Sequence, residues 1–338
     1  MAVIAKSLGV SVQTVSAVVN GKPGISLDTQ ARVRDAIQRY DYQPNAQART
    51  LRGVKTKTLG VIIPSITNPY FPEFVKGIED GARKLGYSIF LCNTDSKLEH
   101  LLEYFSLIKA NRASGLICSV GIAGEWLSNP EVTRWIRKFA KDDVAVVLNG
   151  RPGENLPVKS AMIDTTQAIR DAAKHLIQLG HRRIGLISPP DGLSVTAERV
   201  GGYRDAFAAL GHPLDETFIV PGDFDIGAGA EAARRLMQMH KRPTAIVASN
   251  DIAAFGVIAE LHAMGMSVPT DISVVGFDDI AFAKVFQPAL TTILQPVYEL
   301  GQEALRLATT EKPADGALGE VVVLAGKFVA RESTCPVR

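Results

Sequence analysis

A short helix near the amino terminus combines one amide with several small side chains on a single face, a combination suited to reading DNA bases. If Val15 and Val18 turn inward, the outward positions of this helix are Val12, Gln13, Ser16 and Ala17. A glutamine amide can pair with adenine N6 and N7, and a valine can contact a thymine methyl group. The pattern therefore predicts a helix that reads the major groove of DNA.

The residues around this helix predict a helix-turn-helix arrangement. Gly9 supplies the positive φ of a tight turn, and Ser11 is placed to cap the second helix. The apolar side chains expected to pack the first two helices are Ile4, Ala5, Leu8, Val15, Val18 and Val19. A third helix, predicted from about Ser26 to Tyr40, packs on them through Val33, Ile37 and Tyr40.

The charge of the chain supports a nucleic-acid role for this end. Residues 1–58 hold nine Lys and Arg against three Asp, a net charge of +6, although the whole chain of 338 residues carries only +2. The other 280 residues are therefore mildly acidic. A basic head on an acidic body is typical of a polyanion-binding module joined to a separate domain.

The segment that follows the third helix predicts a very short helix. Pro44 and Asn45 can start it and Gly53 can end it, which leaves about eight residues between them. Isolated helices shorter than about 12 residues are marginal in water. Two interpretations stay open: a plain linker, or a hinge that becomes ordered only on DNA.

From Leu59 onward, unbroken apolar runs alternate with amphipathic helices. Such runs are typical of parallel strands buried on both faces, so the fold class is doubly wound α/β, and some 270 residues suit two lobes. The expected strands are 59–63, 88–92, 115–120, 145–149, 160–163, 184–188, 245–249 and 272–277. The expected helices are 73–85, 98–111, 166–179, 198–210, 228–239 and 252–264. A ligand is expected in the cleft between the lobes, at the strand ends.

Composition limits the class of protein and the cellular compartment that can be expected. With 46% hydrophobic residues the chain can bury a core, and no apolar run reaches the roughly 18 residues of a membrane span. No secretory signal is visible, and the three cysteines lack metal-ligand spacing, so we expect a reducing cytoplasm and no metal.

An enzyme and a free sugar-binding protein are the alternative classes. Residues 227–232 (Gly-Ala-Gly-Ala-Glu-Ala) partly match a dinucleotide fingerprint, but Pro221 and Gly222 separate them from the nearest strand. Asp278 and Asp279 could be paired acids, yet neighbours at a strand end point to opposite sides, which favours one ligand-facing and one solvated carboxylate. A free sugar-binding protein would need a signal peptide and no basic head.

Many segments in one order resemble the lac repressor/gal repressor (LacI/GalR) family of bacterial transcriptional regulators, and the resemblance covers nearly all of the chain. The matching segments are 5–11 (AKSLGVS), 14–16 (TVS), 19–21 (VNG), 42–46 (YQPNA), 68–71 (NPYF), 179–184 (LGHRRI), 243–246 (PTAI), 249–251 (SND), 271–279 (DISVVGFDD), 291–293 (TTI) and 295–296 (QP).

The resemblance implies an operator-binding homodimer whose core is similar to periplasmic sugar-binding proteins, with a small effector in the cleft and no cofactor. The DNA contacts it implies are Ser11, Val12, Gln13, Thr14, Ser16, Ala17, Asn20, Asn45, Ala48 and Leu51, with Leu51 wedged into the minor groove. The effector contacts it implies are Asn68, Tyr70, Phe71, Arg199, Phe224, Asn250, Asp278 and Gln295. These groups suit a sugar or sugar derivative better than a flat nucleobase. Two alternatives stay open: Arg199 and Asp278 could form an internal ion pair instead of contacting a ligand, and Leu51 could simply pack within a linker instead of entering DNA.

The resemblance also implies domain boundaries, and it shows where this chain departs from the family pattern. The headpiece is expected at 1–43, the hinge and linker at 44–58, and the core at 59–338. Within the core, lobe 1 is expected at about 59–160 and 293–323, and lobe 2 at about 161–292 and 324–338. The family usually has Arg where Ala17 stands, so the usual operator is in doubt. The first helix lacks the entry turn that is usual in the family. No leucine heptads of the kind that form a tetramer bundle are present near Arg338, so a dimer is expected.

Overall fold

The computed structural model describes residues 1–19, 22–42, 56–119, 123–153, 156–310 and 319–337. Its contacts divide the chain into two compact units, Met1–Thr56 and Lys57–Arg338. The first is a small helical unit, here called the headpiece, and the second is an α/β unit, here called the core. The predicted hinge helix and its residues from 43 to 55 lie outside the described residues.

In the described residues of the headpiece there are three helices: α1 (Ala2–Leu8), α2 (Val12–Val19) and α3 (Leu27–Arg39). Gly9 ends α1 with φ 66°, and the Ser26 side chain caps α3 by accepting from the Thr29 N–H. The axes of α1 and α2 differ by 108°, within the range of helix-turn-helix units. The buried side chains that join the helices are Ile4, Ala5, Val15, Val18, Val33 and Ala36.

Two headpiece predictions are wrong. Ser16, expected to face outward, is only 8% exposed, because it lies directly beside the inward Val15 on the helix. Tyr40, expected in the packing stripe of α3, is 50% exposed, because α3 ends at Arg39 and the fully packed positions are Val33 and Ala36.

Six strands form the first sheet of the core, in the order β11-β5-β4-β3-β1-β2 with all neighbours parallel. They are β1 (Thr58–Ile63), β2 (Ser88–Asn93), β3 (Gly115–Cys118), β4 (Ala145–Asn149), β5 (Lys159–Ile163) and β11 (Val321–Leu324). The helices of this lobe 1 are α4 (Tyr70–Lys84), α5 (Leu98–Ala110), α6 (Ala123–Ser128), α7 (Pro130–Lys141) and α12 (Val297–Thr309). Strand β2 was expected to be buried on both faces, which is wrong: it is an edge strand, and Phe90 and Leu91 are 41% and 39% exposed.

Four parallel strands form the second sheet, in the order β7-β6-β8-β9. They are β6 (Ile184–Ser188), β7 (Ile219–Pro221), β8 (Ala245–Val247) and β9 (Ser273–Val275). The helices of this lobe 2 are α8 (Thr165–Gln178), α9 (Ser194–Ala209), α10 (Ile226–Met237) and α11 (Asp251–Ala263). Short 3-10 helices occupy Glu216–Phe218 and Ala281–Lys284.

The chain passes between the lobes three times. The first passage follows β5 at Ile163, compared with an expected boundary near 161. The second follows β10 (Thr292–Leu294), which pairs antiparallel with β12 (Lys327–Val329) beside α8. The third lies between β11 and β12. Both lobes are therefore assembled from segments that are distant in sequence.

Residues 333–337 complete lobe 2. The Ser333 hydroxyl donates to the Val274 carbonyl at 2.6 Å, and the Val337 N–H donates to the Leu179 carbonyl at 3.0 Å. The buried His181 ring bonds the Cys335 carbonyl at 3.0 Å through Nε2. The His181 side chain is 2% exposed.

Close helix crossings depend on glycine in both lobes. In lobe 1, a Cβ at Gly77 would lie 2.1 Å from the Tyr298 carbonyl oxygen. In lobe 2, a Cβ at Gly229 would lie 2.1 Å from the Ala253 carbonyl oxygen.

No single helix in the described part of the chain has the length and apolar character to cross a membrane. Helices α1 and α2 meet those criteria only as a bent pair.

Candidate functional site

The predicted DNA-reading face lies at the start of α2. The Thr14 N–H donates to the Ser11 side-chain oxygen at 3.0 Å, so Ser11 caps the helix as predicted. Val12 is 45% exposed, Gln13 is exposed, and Ala17 is half-buried. An exposed amide and a valine at the amino-terminal turn of the second helix are where helix-turn-helix units contact base edges.

Four predicted DNA contacts lie outside the described residues: Asn20, Asn45, Ala48 and Leu51. Their roles, including the minor-groove wedge of Leu51, stay predictions.

The lobe-2 side of the cleft holds a buried arginine that is only partly satisfied. Arg199 lies on α9, is 6% exposed, and stacks its guanidinium 3.8 Å above the Phe277 ring centre. One terminal nitrogen donates to the Ser249 carbonyl. Its Nε is buried and has no hydrogen-bond partner among the described residues. Burial lowers the pKa of Arg199, although an arginine guanidinium keeps its charge in proteins.

Asp278 lies in the same buried region, at the end of lobe 2 where the chain approaches β10. It is 8% exposed and has φ 125°, a left-handed backbone that strains a residue other than glycine. The Gln295 amide donates to its carboxylate at 2.5 Å. Burial, and then the nearby Asp251 carboxylate, raise the pKa of Asp278 well above its usual value. Its carboxyl group therefore holds a proton more readily than that of an exposed aspartate.

Asn250 and Phe224 support the cleft from the loops around β8. Asn250 is 1% exposed, its Oδ1 accepts from the Ala253 N–H at 2.8 Å, and its amide donates to the Phe224 carbonyl at 3.2 Å. The amide of Asn250 is thus used within the protein, and it positions the half-buried Phe224.

Neutral polar and aromatic groups form the lobe-1 side. The Asn68 side chain accepts from the Tyr70 N–H at 3.1 Å, and the Tyr70 and Phe71 rings meet edge to face at 5.0 Å. The Asn149 amide donates to the Tyr70 hydroxyl at 3.4 Å and to the Ser119 hydroxyl at 2.8 Å. These side chains stand at the carboxyl ends of parallel strands, where α/β folds bind ligands.

The two sides share one electrostatic environment. Burial raises the pKa of Tyr70 to about 12, and the charges of Asp278 and Arg199 add smaller opposing effects. A lobe-1 hydroxyl therefore lies close enough to both lobe-2 charges to respond to them. The fold brings Tyr70, Arg199 and Asp278 together across the cleft.

Several alternatives are settled by geometry. No Arg199–Asp278 ion pair within 4.0 Å occurs among the described residues, so the internal pair expected as an alternative is not formed. Asp279, expected to be solvated, is instead 2.7 Å from Arg331 with a side chain only 3% exposed. The glycines at 227 and 229 lie within α10, and Gly229 serves the close crossing with α11, not a phosphate loop. The described residues contain no group of three metal-ligating side chains.

Sequence reasoning missed the polar residues Ser119, Asn149 and Asp251. Asn149 ends a strand that was predicted correctly, so the rule that ligands gather at strand ends could have identified it. Asp251 is fully buried; its carboxylate accepts from the Ile280 N–H at 2.9 Å and the Thr292 hydroxyl at 2.5 Å. Burial raises the pKa of Asp251 to about 6. Its role depends on contacts 29 and 41 residues away, which no local pattern shows.

A two-lobed core with a polar cleft and a basic helix-turn-helix unit define the class of ligand-responsive DNA-binding regulators. The model of the bacterial regulatory proteins of the lacI family matches residues 1–45. The model of periplasmic binding proteins and the sugar binding domain of the LacI family matches residues 56–332. The chain therefore belongs to the LacI family of transcriptional regulators, as the resemblance predicted.

Known proteins agree with this assignment. The transcriptional regulator DegA of Bacillus subtilis (strain 168) is 32% identical over 334 residues, which is 99% of this chain and 97% of DegA. The lac repressor dimer bound to operator and the anti-inducer ONPF superposes with a TM-score of 0.85 at 26% identity, covering 98% of both chains. A LacI-family regulator of Enterococcus faecium with bound ribose gives a TM-score of 0.73 at 27% identity, covering 83% of this chain and all of that one.

Proposed function

We propose that this chain binds a pseudo-palindromic operator as a homodimer and that a sugar or sugar derivative, bound between the lobes, controls this binding. The observation that carries the effector proposal is the buried Arg199, whose Nε has no partner. A buried polar group without a hydrogen bond costs free energy, and a buried charge costs more. A ligand oxygen that accepts from Arg199 removes this cost.

The neighbouring Asp278 narrows the ligand further. A carboxyl group with a raised pKa beside an arginine favours a ligand that both accepts and donates hydrogen bonds. Adjacent hydroxyl groups do this: one oxygen accepts from Arg199 and the next hydroxyl donates to Asp278. A phosphate or carboxylate would satisfy Arg199 but offers no hydroxyl that donates to Asp278.

Aromatic side chains supply the apolar part of the proposed site. Tyr70, Phe71 and Phe224 are partly buried and can cover the C–H faces of a sugar ring. A nucleobase would use the same rings, but it offers fewer adjacent donor and acceptor groups to Arg199 and Asp278. The ribose-bound relative supports the sugar class.

The homodimer is supported by exposed apolar side chains in both lobes. Phe282 and Val285 are 61% and 73% exposed in lobe 2, and Phe90 and Leu91 are exposed on the edge strand of lobe 1. Large apolar side chains at the surface are candidates for contact with a second copy of the chain. The structure of the lac repressor dimer supports the same assembly.

DNA reading is assigned to Val12, Gln13 and Ala17, with Leu51 as a wedge in the minor groove. Effector binding would change the angle between the lobes and thereby the spacing of the two hinges in a dimer. A role in the cytoplasm, without cofactor and without catalysis, follows from this assignment. Ser16 is a weaker candidate for base reading than its neighbours, because it is buried.

A selection of duplex sequences tests the DNA half of the proposal. Native protein should enrich one pseudo-palindrome from a random library, and Ala17→Arg should change the enriched bases, because arginine is the commonest reader of guanine. Leu51→Ala should lower specific affinity while salt-sensitive non-specific binding persists. An unchanged site profile for Ala17→Arg would remove that residue from the reading surface.

A thermal-shift screen tests the effector half. The compounds are sugars, sugar acids, polyols and nucleobases, and a ligand at 100 times its Kd adds about 2.7 kcal/mol to the free energy of unfolding. We expect a neutral sugar to stabilise the protein. Stabilisation by nucleobases alone would overturn the proposed effector class and leave the DNA proposal standing.

A further inference from the structure

An ion pair joins the two lobes beside the cleft. Arg151 lies in lobe 1, two residues after β4, and Glu198 lies in lobe 2 on α9. The Arg151 Nε is 3.0 Å from the Glu198 Oε1. Among the ion pairs whose two residues are both described, this pair is the one that connects the lobes; the others join residues of the same lobe or of the headpiece.

Glu198 is held firmly on its own lobe. Its second carboxylate oxygen accepts from the Thr165 hydroxyl at 2.6 Å, and Thr165 begins α8 directly after the first passage between the lobes. Helices α8 and α9 cross closely, because a Cβ at Gly202 would lie 2.2 Å from the Thr166 carbonyl oxygen. The Glu198 side chain is 10% exposed, whereas that of Arg151 is 61% exposed. Glu198 is thus fixed by its contacts in lobe 2, whereas the exposed Arg151 side chain is free to move away from it.

The position of this pair relates it to the effector cleft. Glu198 immediately precedes Arg199, the residue that carries the proposed effector site. Consecutive residues on a helix point about 100° apart, so one faces the cleft while the other faces Arg151. A change at the Arg151–Glu198 contact therefore acts on the helix that supplies Arg199.

We infer that Arg151 and Glu198 form an interlobe tether that sets the width of the cleft before any effector binds. They are positioning residues, since they act through the geometry of the lobes. The consequence for effector affinity rests on the proposed function, but the tether itself does not. A partly exposed pair shifts an open–closed equilibrium by about two- to fivefold, and salt weakens it.

The test measures the distance between the lobes in the full chain without effector. Spin labels are placed at the exposed positions Ser106 on α5 and Ala208 on α9 after substitution by cysteine, in a Cys335→Ser background. The buried Cys92 and Cys118 should stay unlabelled. Pulsed dipolar spectroscopy then gives the distance distribution at low and high salt.

The variants separate the tether from other effects. Arg151→Gln and Glu198→Gln should widen the distribution, and Arg151→Glu should widen it most, because it places two acidic side chains together. Combining Arg151→Glu with Glu198→Arg should restore the native distribution in part. Thr165→Val checks the hydrogen bond of Glu198 within lobe 2 alone.

A matched control removes an ion pair that lies within one lobe. Arg170→Gln breaks the 2.7 Å pair with Asp205, which connects α8 and α9 inside lobe 2, and should leave the distance unchanged. A distribution that is the same in native protein and in all three single variants at Arg151 and Glu198 would overturn the tether. Because no effector enters this measurement, a failed effector screen would not affect its outcome.

Discussion

The two lobes of the core use the same packing but offer different chemistry to the cleft. Each is a parallel sheet covered by helices, and each contains a close helix crossing at a glycine, for example Gly77 in lobe 1 and Gly229 in lobe 2. Lobe 2 contributes the buried ionisable residues Arg199 and Asp278, whereas lobe 1 contributes the neutral Tyr70 with its partners. Shared architecture therefore does not imply equal roles: we expect lobe 2 to select the ligand and lobe 1 to close over it.

The sharpest test of this asymmetry is Arg199→Met. The methionine removes the buried, only partly satisfied guanidinium and keeps an apolar side chain over Phe277. Loss of at least about 100-fold in effector affinity is expected, equivalent to about 2.7 kcal/mol. The protein without ligand should become more stable by about 1–3 kcal/mol, because the cost of burying a guanidinium whose Nε has no hydrogen bond outweighs the lost bond to the Ser249 carbonyl. Urea unfolding with and without the sugar identified in the screen measures both.

Arg204→Met is the matched control, because Arg204 lies on the same helix but is exposed and pairs with Glu216 at 2.7 Å. It should leave effector affinity unchanged. If Arg199→Met kept full affinity, the assignment of selection to lobe 2 would be wrong.

Glycine packing should be equally important in the two lobes. Gly229→Ala and Gly77→Ala each force a Cβ against a carbonyl oxygen, at Ala253 and Tyr298 respectively. Each should lower the free energy of unfolding by about 1–3 kcal/mol, the usual cost of overpacking. Gly201→Ala on α9 meets nothing within 4 Å and should instead stabilise by about 0.5–1 kcal/mol. A neutral effect in one lobe alone would show that the two helix crossings are not equivalent.

On the lobe-1 side, Tyr70→Phe should have a moderate effect. It removes the hydroxyl that accepts from Asn149 and leaves the ring in place. Loss of one neutral hydrogen bond is worth about 0.5–1.5 kcal/mol, so effector affinity should fall by about two- to tenfold. Isothermal titration with the same sugar gives the value, and a loss as large as that of Arg199→Met would remove the proposed difference between the lobes.

The smallest expected effect is a pH dependence confined to lobe 2. Burial is the main cause that lowers the pKa of His181 and of His175. A histidine whose pKa is lowered by folding binds a proton more readily when unfolded, so stability falls as pH drops through its unfolded pKa of about 6.5. Between pH 7.5 and 5.0, His181→Gln should lose less stability than the native protein does.

His240→Gln, at an exposed position, is the control for this pH series and should keep the native difference. A native-like pH dependence in His181→Gln, measured by urea unfolding at the two pH values, would assign the effect to other groups.

Local patterns predicted the elements that carry strong local signals. The apolar runs located β1, β4 and β6 almost to the residue, and Ser11 and Ser26 were identifiable as helix caps or boundaries. Helices α6, α7 and α12 were missed, although α7 and α12 begin near a proline, and so were strand β11 and the three-residue strands β7, β10 and β12. Strands β8 and β9 are equally short but lie within longer apolar runs, whereas no comparably long run surrounds β7, β10 or β12.

The candidate site was predictable only in part. Its residue list came from the family resemblance, and the structure brings Tyr70, Arg199 and Asp278 into one environment. The unpartnered Nε of Arg199 and the Arg151–Glu198 pair could not be anticipated, because each depends on residues that are distant in sequence and meet only in the folded protein. Burial of Ser16 was mispredicted for a related reason: a helical wheel does not show how closely a neighbouring helix approaches.

The three passages between the lobes have a practical consequence for protein engineering. A chimera that takes one lobe from this chain and the other from a relative cannot be made at a single junction. It requires splices near Ile163, after Leu294 and after Leu324, and the transplanted lobe 2 must bring residues 333–337 with it, since Ser333 bonds Val274. Exchanging ligand selectivity between such regulators by swapping a lobe thus requires three simultaneous crossovers.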